Sequence, residues 1–350
     1  MVIRFQKLQN EEIYNWQQFR CFQHFSWKTY RIFDLQLISD FPFTTQITPI
    51  IYSDTPNQRG IIFTCVTTPP LSLEWDQIFP IYPPRGHISN SLTGFSIYHL
   101  NEFHVLRFAD FADFYLLENH IFCHIHNHDH LEIIETQLFS NVLSFWLERQ
   151  GIPVLHASAI STKGHAIAFL GHSGVGKTTL AASLIQEGCS LLTDDILPIK
   201  SKDSKFLAVP CYPQIRLWPD EAKIITNNSV KINPTPHKLR IRVGDDSIGK
   251  FCNEEMPIGC VYIMERETQG YEHIPITITR LSARQAFIEL TRYSFMPRTV
   301  QTLGYQPHRL DVFASMSRQI PFCQLNLRRD LNYLSANSSA LLKDIEKHLR

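Results

Sequence analysis

The stretch Gly171-His172-Ser173-Gly174-Val175-Gly176-Lys177-Thr178 fits G-x-x-x-x-G-K-[ST] at every fixed position, and no other feature of the 350-residue chain limits the fold as tightly. Such a loop has one workable setting. It leaves a buried strand and opens a helix, so that backbone N–H groups and the positive end of the helix dipole converge on an anion. Glycines at 171, 174 and 176 allow unusual φ values and keep Cβ atoms away from a phosphate. Lys177 then meets the β/γ charge and Thr178 Oγ ligates Mg²⁺, while the cradle as a whole runs from Gly171 to Thr179. The ligand this chemistry implies is ATP with Mg²⁺.

The flanks meet the requirement. His165-Ala166-Ile167-Ala168-Phe169-Leu170 is a short apolar run with the pattern of a buried strand. After the loop, Leu180, Ala181, Leu184 and Ile185 share one helical face, and Gly188 stands where a helix-stopping glycine belongs. Upstream, Val154 to Ile160 reads as a partner strand joined through Ser161-Thr162-Lys163-Gly164. Downstream, Leu191-Leu192-Thr193-Asp194-Asp195-Ile196-Leu197-Pro198-Ile199 is an apolar run with two carboxylates in its middle. Aspartates in such a run are costly unless paired or metal-bound, so they are candidates to face the loop.

Strands and helices alternate from 154 onward: a strand core at Cys260–Met264, helices over 282–295 and 307–317, a last strand over 321–327 and a closing helix over 333–349. Residues 209–218 read as a strand leading into a helical turn at 219–225, and the polar segment 226–250, with Lys238, Arg240 and Arg242, as a loop. This predicts an α/β domain with a mixed sheet. The first half is aromatic-rich, with prolines at 69–70 and 83–84, and reads as mostly β. Its strands are Gly60–Val66, Phe103–Phe108, and a hairpin of Phe114–Leu117 and Ile121–Ile125 around Glu118-Asn119. A helical period over 130–150, ended by Gly151-Ile152-Pro153, marks the junction, giving domains 1–148 and 149–350.

Charge narrows the partners. Lys and Arg total 33 and Asp and Glu 33, so no basic field argues for nucleic acid or an anionic membrane. Eight cysteines without a C-x-x-C pair read as reduced thiols, and Met1–Lys7 is broken by charge too early for a signal peptide. No run of about 18 apolar residues occurs, and the expectation is a cytoplasmic protein. His124, His126, His128 and His130 alternate along a strand end. Alternation alone does not make ligands converge, and solvated histidines are the plainer reading.

The second half, over roughly 150–330, resembles the kinase domain of HPr kinase/phosphorylase, which shares the P-loop fold of phosphoenolpyruvate carboxykinases. In that family a histidine 21 residues before the loop lysine and an Asp-Asp pair 17 and 18 residues after it accompany the loop; His156, Asp194 and Asp195 stand at those distances from Lys177. Two loop positions differ: His172 replaces an Asp, and Thr179 stands where the family carries Glu. The run Pro213-Gln214-Ile215-Arg216-Leu217-Trp218-Pro219 looks more like that of divergent HPr-kinase-like proteins found with peptide-modification systems, among them the lasso-peptide precursor kinases.

The resemblance implies an ATP-dependent serine kinase acting on a small protein or precursor peptide. Asp194 would be the base for the serine hydroxyl with His156 near it, Asp195 would support the metal with Thr178, and Arg216 would clamp the transferring phosphoryl group. A kinase of a free small molecule and a non-catalytic nucleotide-binding regulator are the alternatives. Assembly into a homo-oligomer is open, since HPr kinases resemble hexamers and their assembly signature is what this chain lacks.

Overall fold

A computed structural model describes residues 20–44, 47, 60–71, 73–78, 80–81, 95–100, 103–226, 238–244, 247–265, 276–327 and 331–349. The expectations for Met1–Lys7, for the prolines at 83–84 and for most of the 226–237 loop lie outside these residues. The protein is a mixed α/β chain that divides into two compact units, Met1–Val142 and Leu143–Arg350.

In the first unit the strands are β1 (Lys28–Ile32), β2 (Leu35–Ser39), β3 (Gly60–Val66), β4 (Ser96–Leu100), β5 (Phe103–Phe108), β6 (Ala112–Leu116) and β7 (His120–Ile125). They form one sheet in the order β1-β2-β3-β7-β6-β5-β4. The β2–β3 and β3–β7 pairs are parallel and the others antiparallel, so the sheet is mixed. Strands β5 to β7 are buried almost throughout, which is why they read as apolar runs rather than alternating ones. The β6–β7 turn closes at Glu118-Asn119, where Leu117 N–H donates to the His120 carbonyl at 2.9 Å.

The expected helix over 130–150 is helical throughout from Leu131 to Arg149, as α1 (Leu131–Gln137), a π-helical turn (Leu138–Val142) and α2 (Leu143–Arg149). The division falls within this stretch, ahead of residue 148, for a physical reason. Glu148 accepts the Val154 N–H at 2.8 Å and pairs with fully buried Arg309 at 2.5 Å, which ties α2 to the second unit.

The second unit continues with β8 (Val154–Leu155), β9 (Ala157–Thr162), β10 (His165–Gly171), α3 (Lys177–Gln186), β11 (Ser190–Thr193), β12 (Leu197–Lys202) and β13 (Lys205–Ala208). Next come β14 (Gln214–Leu217), α4 (Pro219–Ile225), β15 (Leu239–Arg242), β16 (Lys250–Phe251), β17 (Met256–Met264) and β18 (Ile276–Arg280). The chain closes with α5 (Ala283–Arg292), α6 (Pro297–Thr302), α7 (Gln306–Gln319), β19 (Phe322–Leu327) and α8 (Leu334–His348). The main sheet runs β16-β11-β9-β10-β17-β13-β12-β8, with β19 beside β17 and β18 beside β19.

Period-two alternation sorts the central strands between two layers. Ile167 and Phe169 of β10, with Cys260 and Tyr262 of β17, join the core on the α3, α4 and α8 side. Ala166, Ala168, Leu170, Val261 and Ile263 join the core on the α5 and α7 side. Both faces of β10 are therefore covered, and its end is held rigidly where the glycine loop begins. The β9–β10 turn is tight because Lys163 and Gly164 both take positive φ, 48° and 74°. Ser282 caps α5 through a capping box with Gln285, as a polar N-cap ahead of an apolar period predicts.

Two sequence expectations need correction, those for 209–218 and for the loop after it. The apolar run Leu191–Ile199 divides into the end of β11 at Thr193 and the start of β12 at Leu197, with the two aspartates in the turn between. Thr193 Oγ1 closes that turn by donating to the Ile196 carbonyl. Of 209–218, only Gln214–Leu217 is a strand, and it pairs with β15, which lies inside the segment read as a loop.

Candidate functional site

The glycine loop joins the end of β10 to the start of α3, and two features of its backbone require glycine. A Cβ on Gly171 would stand 2.6 Å from the Met264 carbonyl oxygen, because β10 and β17 run side by side there. Gly176 caps α3 with φ +98°, a left-handed conformation that strains other residues. The first-turn amides of α3 have no intrahelical acceptor and point toward the loop's concave side. Lys177 is buried and folds back along the loop, donating from Nζ to the carbonyls of Gly171 at 2.7 Å and His172 at 3.3 Å.

Asp194 lies at the centre of the polar contacts. Its Oδ1 accepts the Ser158 hydroxyl at 2.6 Å and the Thr178 hydroxyl at 2.9 Å, and its Oδ2 accepts the Arg216 backbone N–H at 3.3 Å. Strands β9 and β14 and helix α3 each contribute a donor to this one carboxylate. Buried carboxylates are tolerated when donors replace lost water in this way. Asp195 follows in a left-handed conformation, φ +71°, which turns its side chain to the Arg216 guanidinium. Asp is among the few residues that adopt that backbone conformation readily. The Asp195 carbonyl accepts the His156 Nδ1–H at 3.1 Å, which fixes the imidazole's tautomer.

Electrostatics fits a site that handles negative charge. Burial, reinforced by nearby Lys177, pushes the His156 imidazole down to about 4, so it is neutral near pH 7. Burial likewise pulls the Lys177 ammonium down to about 8, with Asp194 opposing the shift and Lys238 adding to it. Lys177, Arg216 and Lys238 all act on His156, so three basic groups share the neighbourhood with Asp194 and Asp195.

The structure thus brings together His156, Lys177, Thr178, Asp194, Asp195 and Arg216. It does so with a pairing that differs from the one implied above: Thr178 meets Asp194, and Asp195 meets Arg216. Thr179 turns aside and donates to Glu221 of α4 at 2.7 Å. His172 is exposed on the loop with its ring 5.4 Å from that of Tyr293, edge to face, and Ser173 and Gly174 are exposed beside it. Ser158, Glu221 and Lys238 also belong to the site. Of these only Ser158 carried a detectable signal, lying two residues after His156 on the strand that pairs with β10.

The residues suit Mg²⁺ and a triphosphate: a hydroxyl and carboxylate oxygens at the start of α3 form an all-oxygen donor set, beside a glycine cradle with a lysine. Among the described residues no helix is long and apolar enough to cross a membrane.

No family model matches the sequence. Two curated proteins named HPr kinase/phosphorylase, from Limosilactobacillus reuteri strain DSM 20016 and L. reuteri subsp. reuteri strain JCM 1112, are each 33% identical to it over 84 residues. That match covers 24% of this chain and 26% of theirs, so the chain spans about a quarter of the length of these relatives. Among solved structures, the Hpr(Ser) kinase/phosphatase from Coxiella burnetii aligns over 55% of this chain and 91% of its own, with 11% identity and a TM-score of 0.31. That likeness is too distant to support a fold assignment. Over those 84 residues the chain is similar to the HPr kinase/phosphorylases.

Proposed function

We propose that the protein is a cytoplasmic, ATP-dependent kinase that transfers the γ-phosphoryl group to a serine hydroxyl of a small protein or precursor peptide. One observation carries the reading: the buried Asp194 carboxylate is held by the Thr178 hydroxyl one residue from the loop lysine. This is the arrangement of a phosphate cradle facing its metal-side carboxylate. Mg²⁺, when bound at Thr178 and Asp194, neutralises charge on the phosphates. Loop amides and Lys177 hold the β- and γ-phosphates in place.

We read the two carboxylates in the reverse order from the resemblance. Asp194 has both oxygens engaged by donors, which suits a fixed support. Asp195 has its side chain 25% exposed and holds Arg216, which is 36% exposed. A carboxylate with access to an incoming hydroxyl suits the base, and a guanidinium released from it suits the transferring phosphoryl group. Neutral His156 orients Asp195 through its backbone carbonyl.

The test uses radiolabelled ATP with HPr and with serine-containing precursor peptides as acceptors. The reading predicts label on a serine, lost in Asp195→Asn while Mg²⁺-ATP affinity stays within about twofold. Equal labelling by Asp195→Asn would return the base role to Asp194. ADP formation that is indifferent to every peptide and protein acceptor would favour a small-molecule substrate.

A further inference from the structure

The first unit carries a second convergent polar cluster, built by strand register rather than by sequence spacing. Asp113 of β6 stands directly opposite His124 of β7, and Arg107 of β5 directly opposite Asp113. Directly opposed side chains share a face, and His126, two residues beyond His124, shares it too. One ligand atom each from Asp113, His124 and His126 lies within 4.8 Å of the other two. Ligands about 2.1 Å from a tetrahedral metal are separated by about 3.4 Å, so modest side-chain rotation closes the set.

Hydrogen bonding shows what the cluster wants. His126 Nδ1 is 3.2 Å from the Ala109 carbonyl, which only accepts, so Nδ1 carries a proton. His126 Nε2 then faces Asp113 Oδ2 at 3.0 Å, and that gap calls for a cation, either a second proton or a metal ion. A proton there would answer only Oδ2. Asp113 is 2% exposed, and its Oδ1 is buried without a hydrogen-bond partner among the described residues. The Arg107 guanidinium does not answer it either, since it reaches Oδ2 at 3.5 Å and stacks over Trp75. An imidazole tied to a carbonyl through one nitrogen and free to coordinate through the other is the usual state of a metal-bound histidine.

We infer that Asp113, His124 and His126 form a binding site for a divalent first-row transition ion of the zinc class, with coordination positions left open toward solvent. The open side follows from exposure: the Asp113 side chain is 3% exposed and that of His126 23%. Three protein ligands with an open position is the pattern of a zinc site that takes water or a substrate, in contrast to closed four-ligand structural sites.

A second set in the chain, Cys260, Cys323 and His348, competes for the same metals, so the test must separate the two. The full chain carrying Cys323→Ser, stripped with chelator, is titrated with Zn²⁺ by calorimetry and with Co²⁺ by visible absorption. One equivalent should bind, with a cobalt spectrum free of thiolate charge transfer. His124→Gln and Asp113→Asn should each weaken binding by about 10–100-fold or more, and the partly exposed His126→Gln should do the same without loss of fold. Unchanged affinity in these variants, or no binding in excess Zn²⁺, would overturn the inference and leave a proton-bridged Arg107–Asp113–His126 network. Metal-free thermal melts of each variant identify any that fail to fold, and the remaining two still decide the question.

Discussion

Asp194 and Asp113 are both buried, at 8% and 2% exposure, yet their surroundings differ completely. Two hydroxyls and a backbone amide donate to Asp194. Asp113 has histidine and arginine at one oxygen and, among the described residues, no hydrogen-bond partner at the other. A carboxylate surrounded by donors is already stable and serves as a fixed support for something that binds beside it. A carboxylate left with a bare oxygen among imidazoles is incomplete, and its missing partner is a cation. Burial of an acid alone therefore does not identify its role; the inventory of donors around it does.

The contrast can be broken or sharpened by four substitutions and a pH series. The largest effect is expected from Asp195→Asn, which should lower phosphoryl transfer by about 10²–10⁴-fold, the usual worth of a positioned base, read from initial rates at saturating ATP. Lys177→Ala comes next: loss of a charge-assisted contact worth about 1.5–3 kcal/mol predicts ATP affinity lower by about 10–150-fold, measured by calorimetry. The same variant should leave Zn²⁺ affinity at Asp113 unchanged, and a parallel loss of metal binding would break the separation of the two sites.

Stability compares the carboxylates directly. Ser158→Ala strips a donor from Asp194 and should destabilise the protein by about 1.5–3 kcal/mol in denaturant melts. Asp113→Asn, in metal-free protein, removes a charge already short of donors and should change stability by less than about 1 kcal/mol. If the two changes cost the same, the difference in surroundings has no energetic meaning. The smallest effect concerns pH. Lys177 is charged below its depressed value of about 8, so ATP affinity should fall several-fold as pH rises from 7 to 9. Binding above pH 8 should take up a proton, seen as a calorimetric enthalpy that varies with buffer, and Lys177→Ala should abolish that variation.

Much of the second unit was legible because its signals are local. The loop motif, the apolar strand before it, the apolar face of α3 and the capping residues at Ser282 and Gly188 all act within a few residues. The approach of His156, Asp194 and Asp195 to the loop was legible through fixed spacing. Which carboxylate meets Thr178 was not, because it depends on Thr193 closing the turn on Ile196 and on the left-handed φ of Asp195. Glu221 reaches the site from α4 and Lys238 from the residue before β15, and no local pattern connects either to the loop. The histidines at 124, 126, 128 and 130 were visible as an alternating set, but 128 and 130 fall in a 3-10 turn after β7 and alternation does not reveal Asp113 as the third ligand. The register that sets Asp113 against His124 is long-range information. Short strands such as β13 and β15 lacked enough residues to show a period.

The central claim is that Asp194 supports the metal beside the Thr178 hydroxyl, and ATP titrations with and without Mg²⁺ test it most directly. In the wild-type chain Mg²⁺ should tighten ATP binding by about tenfold or more, and in Asp194→Asn ATP should bind with the same affinity in both conditions. Mg²⁺ enhancement of equal size in the Asp194→Asn variant, or failure of the wild-type chain to bind ATP at all, would contradict the account.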